Sequence, residues 1–314
     1  MYKQTIQDLA LFGGRPSFED PVLVGRPHIG NREALFQRID GALSRGWLTN
    51  NGPLVREFEA RLCHFLGVRH CVLVCNGTLG LQIAIRALGL GGEVIVPSFT
   101  FIATANALQW QGVTPVFCDV DSQTHNLDPA AVEELINPRT SAILGVHLWG
   151  RPSPVEALKD IANRKGLSLF FDAAHAFGCS YQNEMIGNFG IAEVFSFHAT
   201  KVFHTFEGGV ITTNDDALAV KLRELRDHGF SGPVEVGSVG TNGKMSEISA
   251  AMGLTGLETL AEVFERKAKN YRLYREELAG NPGISLAAYD EAERSNFQYI
   301  VVTVDPSVAG LSRD

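Results

Sequence analysis

VFSFHATKVFHTFEGGVITTND, residues 194–215, starts as one apolar strand and ends as another. Val194, Phe195 and Phe197 give the first strand its apolar character, and GVITTN carries the second. The turn between them holds a single lysine, Lys201, five residues after Ser196 and ahead of Glu207-Gly208-Gly209. A lone lysine in such a turn is either a solvated loop cation or a nucleophile. What stands at the neighbouring strand ends decides between the two.

Upstream of that segment the pattern alternates. PLVREFEARLCHFLG (53–67) has apolar residues at helical spacing, and HCVLVC (70–75) reads as a buried strand. Helices are expected over 78–92, 101–112, 128–136 and 153–166, with Asp128-Pro129 and Ser153 as start signals. Strands are expected over 93–97, 114–120, 141–150 and 167–174, and a helix over 217–229. Continuous apolar strands alternating with helices imply an α/β fold with a mainly parallel sheet of about seven strands, covered on both faces. Ligands in such sheets bind beyond the carboxyl ends of the strands. Residues 230–244 are Gly-rich. Apolar spacing from Met245 to Leu278 is too long for one simple helix and leads toward a second unit with a strand at 295–305. AGLSRD (309–314) reads as a helix start capped by Ser312.

Composition narrows the function classes. Lys and Arg number 27 against 35 Asp and Glu, a formal net charge of −8, so nothing suggests a nucleic-acid face or an anionic membrane surface. Cys63, Cys71, Cys75, Cys118 and Cys179 have no CxxC spacing. An odd count without that spacing favours free thiols in a reducing compartment; Cys71 and Cys75 read as core residues. No apolar run is long enough to span a bilayer, no leader is evident at the start, and a cytoplasmic enzyme is expected. Metal ligation is not expected, because no His, Cys or Asp cluster has ligand spacing.

Four strand ends carry chemistry. Asn76-Gly77-Thr78 opens a helix, where exposed N–H groups and a hydroxyl suit a phosphate, or where a simple cap suffices. Ser98-Phe99-Thr100-Phe101 puts aromatics at another end. Asp172, with His175 three residues on, ends a third apolar strand; a lone carboxylate there needs a cationic partner. Ser196 and Lys201 complete the set. Pyridoxal 5′-phosphate uses all four features. It needs an amine for a Schiff base, a carboxylate facing its ring nitrogen, a phosphate cradle and a flat surface against its ring.

The blocks NGTLGLQIAIRAL, VIVPSFTFIATANAL, FDAAHAFG, SFHATK…EGG and GTNGKMSEISAAMG resemble the DegT–DnrJ–StrS family of pyridoxal-phosphate nucleotide-sugar aminotransferases, in order and at the family's spacings from about residue 26 onward. The resemblance implies the aspartate-aminotransferase fold, with an N-terminal arm (1–25), a large cofactor-binding domain (26–255), and a linker helix with the start of a smaller α+β domain (256–314). Family members usually continue for several tens of residues, so that smaller domain is expected to be incomplete. By resemblance, Lys201 forms the Schiff base, Asp172 faces the ring nitrogen and His175 lies near the 3-hydroxyl. Gly77, Thr78 and Ser196 hold the phosphate, while Phe101 and Ala174 lie against the two ring faces. Asn242 reaches the phosphate of a neighbouring subunit, which implies a homodimer with shared sites.

The implied reaction moves an amino group from an amino acid, with L-glutamate the expected donor, to a keto-sugar on a nucleoside diphosphate. A dTDP-linked 4-keto-6-deoxy sugar is the favoured substrate. A pyridoxamine-phosphate sugar dehydratase of the same fold carries histidine in place of the lysine, so Lys201 argues against it. A non-catalytic protein of this fold is the third reading. A dinucleotide enzyme lacks support, since no GxGxxG follows a strand. Phe206 stands where the family often has Gly. His147 is read as near the site or in the core, His198 and His204 as solvated loop histidines rather than substrate contacts, and Trp47 and Trp149 as lining the cleft or packing.

Overall fold

The computed structural model describes residues 5–22 and 25–310. The apolar runs become β1 (His70–Val74), β2 (Glu93–Pro97), β3 (Thr114–Cys118), β4 (Thr140–Val146) and β5 (Ser168–Asp172). A small hairpin, β6 (Ser180–Tyr181) and β7 (Glu184–Met185), precedes β8 (Glu193–Ser196) and β9 (Gly209–Thr213). Seven of these form one sheet in the order β1-β9-β8-β5-β4-β2-β3. From β8 to β3 every pairing is parallel, and β9 runs antiparallel to both its neighbours. The expected strand–turn–strand at 194–215 is therefore β8, a turn and β9, with Phe195 opposite Val210.

Helices on both faces explain why the strands are apolar throughout rather than alternating. Val72 and Val74 of β1 pack with α3 (Gly77–Ala87), α4 (Ala103–Trp110) and α7 (Asp216–Arg226). Cys71 and Leu73 point the other way, into the cluster under α1 (Arg32–Arg45), α2 (Pro53–Leu66) and α8 (Glu247–Glu258). Farther along, Ile143 and Phe171 meet α5 (Pro129–Leu135) and α6 (Val155–Lys165). Asp128 caps α5 by accepting from the Ala130 N–H. Ser153 does not cap α6: the preceding residue there is Pro154, and the Ser153 hydroxyl has no hydrogen-bond partner. Its amide is instead committed to His147. Cys71 is buried as expected, whereas Cys75 is only half-buried, at the rim where the strands end.

The stretch 245–278 splits at Thr259 into α8 and α9 (Leu260–Leu278). Beyond it, β10 (Ile284–Leu286) and β11 (Val302–Val304) pair antiparallel. Only the end of the strand expected at 295–305 forms. Residues 296–299 stay irregular, because Asn296 and Gln298 bond to the main body and Phe297 takes a φ of 46°. The last helix, α10 (Pro306–Ala309), starts at an Asp305 cap, ahead of AGLSRD; Ser312 lies outside the described residues. Among the described residues no helix is long and apolar enough to cross a membrane.

Candidate active site

Strand register builds the site. Asp172 lies opposite Val146 on one side and Val194 on the other, and Ser196 and Val74 both lie opposite Gly209. The ends of β1, β4, β5 and β8 thus share one rim of the sheet. A cavity of about 990 Å³ opens there, lined by eight of the nine expected residues: Gly77, Thr78, Phe101, Asp172, Ala174, His175, Ser196 and Lys201.

Asp172 is 6 % exposed. One carboxylate oxygen accepts from the Ala174 N–H at 3.1 Å and the other from the Thr104 hydroxyl at 2.9 Å. It has no ion-pair partner among the described residues. Burial raises its pKa above the usual carboxylate range, and those two hydrogen bonds and the charge of Lys201 oppose the rise. Lys201 answers the opening question: it is not a solvated cation. Burial lowers its pKa, with Asp172 pulling the other way. A buried carboxylate with no ion-pair partner among the described residues and an amine whose pKa burial lowers thus face one cavity.

His175 is held from both sides. Its Nδ1 accepts from the Trp149 N–H at 3.3 Å, which leaves the ring proton on Nε2, 3.3 Å from the Tyr299 hydroxyl. Its ring stacks on Trp149. Burial, with Lys201 nearby, pushes its pKa down to about 3, so the imidazole is neutral at physiological pH. Trp149 delivers that amide from a left-handed backbone, φ 61°, a conformation that costs a non-glycine residue about 1–2 kcal/mol.

Asn76 caps α3 by accepting from the Leu79 N–H at 2.8 Å. The Gly77 and Thr78 amides have no acceptor within the helix, which is the state a helix N-terminus offers an anion. A Cβ at Gly77 would stand 3.0 Å from the Ser196 Cβ. The cradle is therefore closed on the protein side and open toward the cavity. These residues fit a phosphorylated pyridine: helix amides for the phosphate, a buried carboxylate with no ion-pair partner among the described residues, an amine whose pKa burial lowers, and Phe101, 70 % exposed, beside them.

Asn242 does not join this set. It is exposed, bridged to Asp227, and outside the cavity of its own chain. His147 is a core residue: fully buried, stacked on Phe171 and bonded to Glu193 at 3.1 Å. His204 is not solvated, because its Nε2 bonds the His28 carbonyl at 2.9 Å. His198 lines the cavity with Glu207, 3.5 Å from it. Trp149 lines the cavity, while Trp47 lies away from it under Arg56. Phe206 takes φ 65°, the conformation its family glycine adopts freely. Sequence reasoning missed Thr104 and Tyr299. Thr104 sits one helical turn beyond the quoted SFTF block, a spacing that could have drawn attention to it. Tyr299 carries no such signal.

Known proteins identify the family of the chain. The profile of the DegT/DnrJ/EryC1/StrS aminotransferase family matches residues 30–314. A dTDP-4-amino-4,6-dideoxy-D-glucose transaminase of Shigella dysenteriae is 39 % identical over 296 residues, covering 94 % of this chain and 80 % of the relative. The spore coat polysaccharide biosynthesis protein SpsC of Bacillus subtilis strain 168 is 36 % identical over 301 residues, covering 91 % and 77 %. The solved structure of DesI in the presence of its TDP-sugar product superposes with a TM-score of 0.95 at 50 % identity, covering 98 % of this chain and 79 % of that one. The chain belongs to the DegT/DnrJ/EryC1/StrS aminotransferase family and is an enzyme of the pyridoxal-phosphate-dependent kind.

Proposed function

We propose that this aminotransferase moves an amino group from an amino acid, with L-glutamate as donor, to C4 of a dTDP-linked 4-keto-6-deoxy sugar. One observation carries the cofactor assignment: Asp172 is buried without a positive partner, on the cavity it shares with Lys201. The substrate is supported by the Shigella transaminase and DesI relationships. Within the chain, 26–255 is the large cofactor-binding domain, followed by a linker helix and a smaller α+β unit. Five free cysteines support a reducing, cytoplasmic compartment.

Lys201 would hold pyridoxal 5′-phosphate through a Schiff base, with Gly77, Thr78 and Ser196 on its phosphate. Phe101 and Ala174 would lie against its faces, and His175 near its 3-hydroxyl. When bound, the cofactor supplies an electron sink for the carbon that loses its proton. Asp172 would favour a protonated ring nitrogen by supplying the negative charge that this cation needs. The Lys201 amine, its pKa lowered by burial, would take and return the substrate proton. Trp149 and Tyr299 orient a neutral His175.

Purified protein should be yellow, and borohydride reduction followed by peptide mapping should tag Lys201. A tag on any other lysine overturns the assignment. A panel of nucleotide keto-sugars with glutamate tests the substrate; amination of a dTDP-4-keto-6-deoxy sugar in preference to UDP-linked sugars is expected.

Asn242 serves the partner's phosphate, so the enzyme is a homodimer with shared sites. Its position outside its own cavity, in a Gly-rich loop that lets backbone approach an anion, supports this. Mixing Lys201→Ala with Asn242→Ala subunits should yield hybrids with one doubly defective site and one intact site. Activity above that of either homodimer is expected. A monomer by sedimentation that still binds cofactor tightly would count against sharing.

A further inference from the structure

The irregular residues 296–299 touch the site at three points. Asn296 is fully buried, and its amide group donates to the carbonyls of His175 at 2.8 Å and Phe177 at 3.0 Å. Gln298 Oε1 accepts from the Val202 N–H at 3.1 Å, at the residue directly after Lys201. The Tyr299 hydroxyl lies 3.3 Å from His175 Nε2. Phe297, between the two amide side chains, turns its ring away onto Tyr271 and Tyr289, with centroids 5.1 and 5.0 Å apart. Its φ of 46° is what lets Asn296 and Gln298 both reach the main body while the ring faces outward. The Gln298 N–H closes the knuckle by donating to Asn296 Oδ1 at 2.9 Å.

We propose that residues 296–299 form a clasp on the reacting groups, with Gln298 a positioning residue for Lys201 that acts through the Val202 N–H. This rests on the reading that Lys201 holds the cofactor. The lysine's own amide donates to the His198 carbonyl at 2.9 Å, a bond internal to the turn. The Gln298 contact, by contrast, ties the turn to a distant part of the chain. Val202 is 8 % exposed, so without Gln298 its N–H is buried and unpaired. The turn then has reason to shift, and a shift of about 1 Å at a reacting group costs about 10²-fold in rate.

The test uses the full 314-residue chain stripped of cofactor, so that the lysine amine is free. Gln298→Met keeps the side-chain volume and removes the acceptor; Gln298→Glu keeps an acceptor oxygen. Hydrogen exchange is followed by mass spectrometry, and the pH profile of Lys201 acetylation by acetic anhydride is referenced to exposed Lys159. In Gln298→Met, exchange across 198–203 should rise about tenfold. The Lys201 midpoint should also move up, because a loosened turn returns the amine to water. Gln298→Glu should restore the exchange protection. Unchanged exchange and midpoint in Gln298→Met would overturn the proposal. So would a rise spread equally over β4 and β5, or a Glu variant exchanging like the Met one. Should borohydride tag another lysine, these measurements still report on the clasp, and only its link to catalysis falls.

Discussion

Lys201→Ala should lower turnover by about four decades or more while leaving the fold and weak, non-covalent cofactor binding in place. The proposed assignment gives Lys201 two roles that are lost together, the covalent hold and the proton carrier, and general acid–base transfer alone is worth about 10²–10⁴-fold. The proposed phosphate cradle at Gly77, Thr78 and Ser196 is independent of the lysine side chain, which is why binding should persist. Single-turnover rates with added methylamine separate the roles, since a small amine replaces the proton carrier in part. Activity within tenfold of the unaltered enzyme would assign proton transfer to another group.

Asp172→Asn should cut transamination by about two decades or more, roughly 3 kcal/mol, with much less effect on cofactor retention. The amide fits the same space and can still pair with Thr104 and the Ala174 N–H. What disappears is the charge that favours a protonated ring nitrogen. The same change has a sign that can be read on Lys201. Asp172 raises the lysine pKa against the lowering by burial. Removing that charge should therefore move the Lys201 labelling midpoint to lower pH in cofactor-free protein. Near-normal turnover, or a midpoint moving to higher pH, would give Asp172 a structural part instead.

Local pattern carried most of the architecture. Apolar runs such as HCVLVC and LSLFFD have no polar face to show, and only a sheet covered on both sides accepts them. Asp172 stood out as a carboxylate ending such a run, and Lys201 as a lone lysine in the turn between two of them. What stayed hidden depends on contacts between distant segments. His204 is buried because the His28 carbonyl arrives from near the N-terminus. Residues 296–299 carry apolar and aromatic side chains at strand-like spacing, yet the amides of Asn296 and Gln298 find partners on the main body and pull the backbone out of the ladder. Ser153 has the residue type of a cap, but its amide is taken by His147.

The single reversed strand, β9, bears on how the protein is made. Among the described residues β1 pairs in the sheet only with β9, so the ladder-facing backbone groups of residues 70–74 wait for residues 209–213 to leave the ribosome, whereas the Leu73 N–H and carbonyl are met by Glu59 and Arg226. Until then Val72 and Val74 lack their edge, and α3, whose first turn is the proposed phosphate site, has only part of its platform. Closing so distant a pairing is slow, because chain entropy is spent before the contact forms. The vitamin-derived ligand thus meets a finished pocket only after most of the polypeptide exists. A supply of that ligand during synthesis should raise the yield of folded enzyme by trapping the closed sheet, rather than by speeding the early steps.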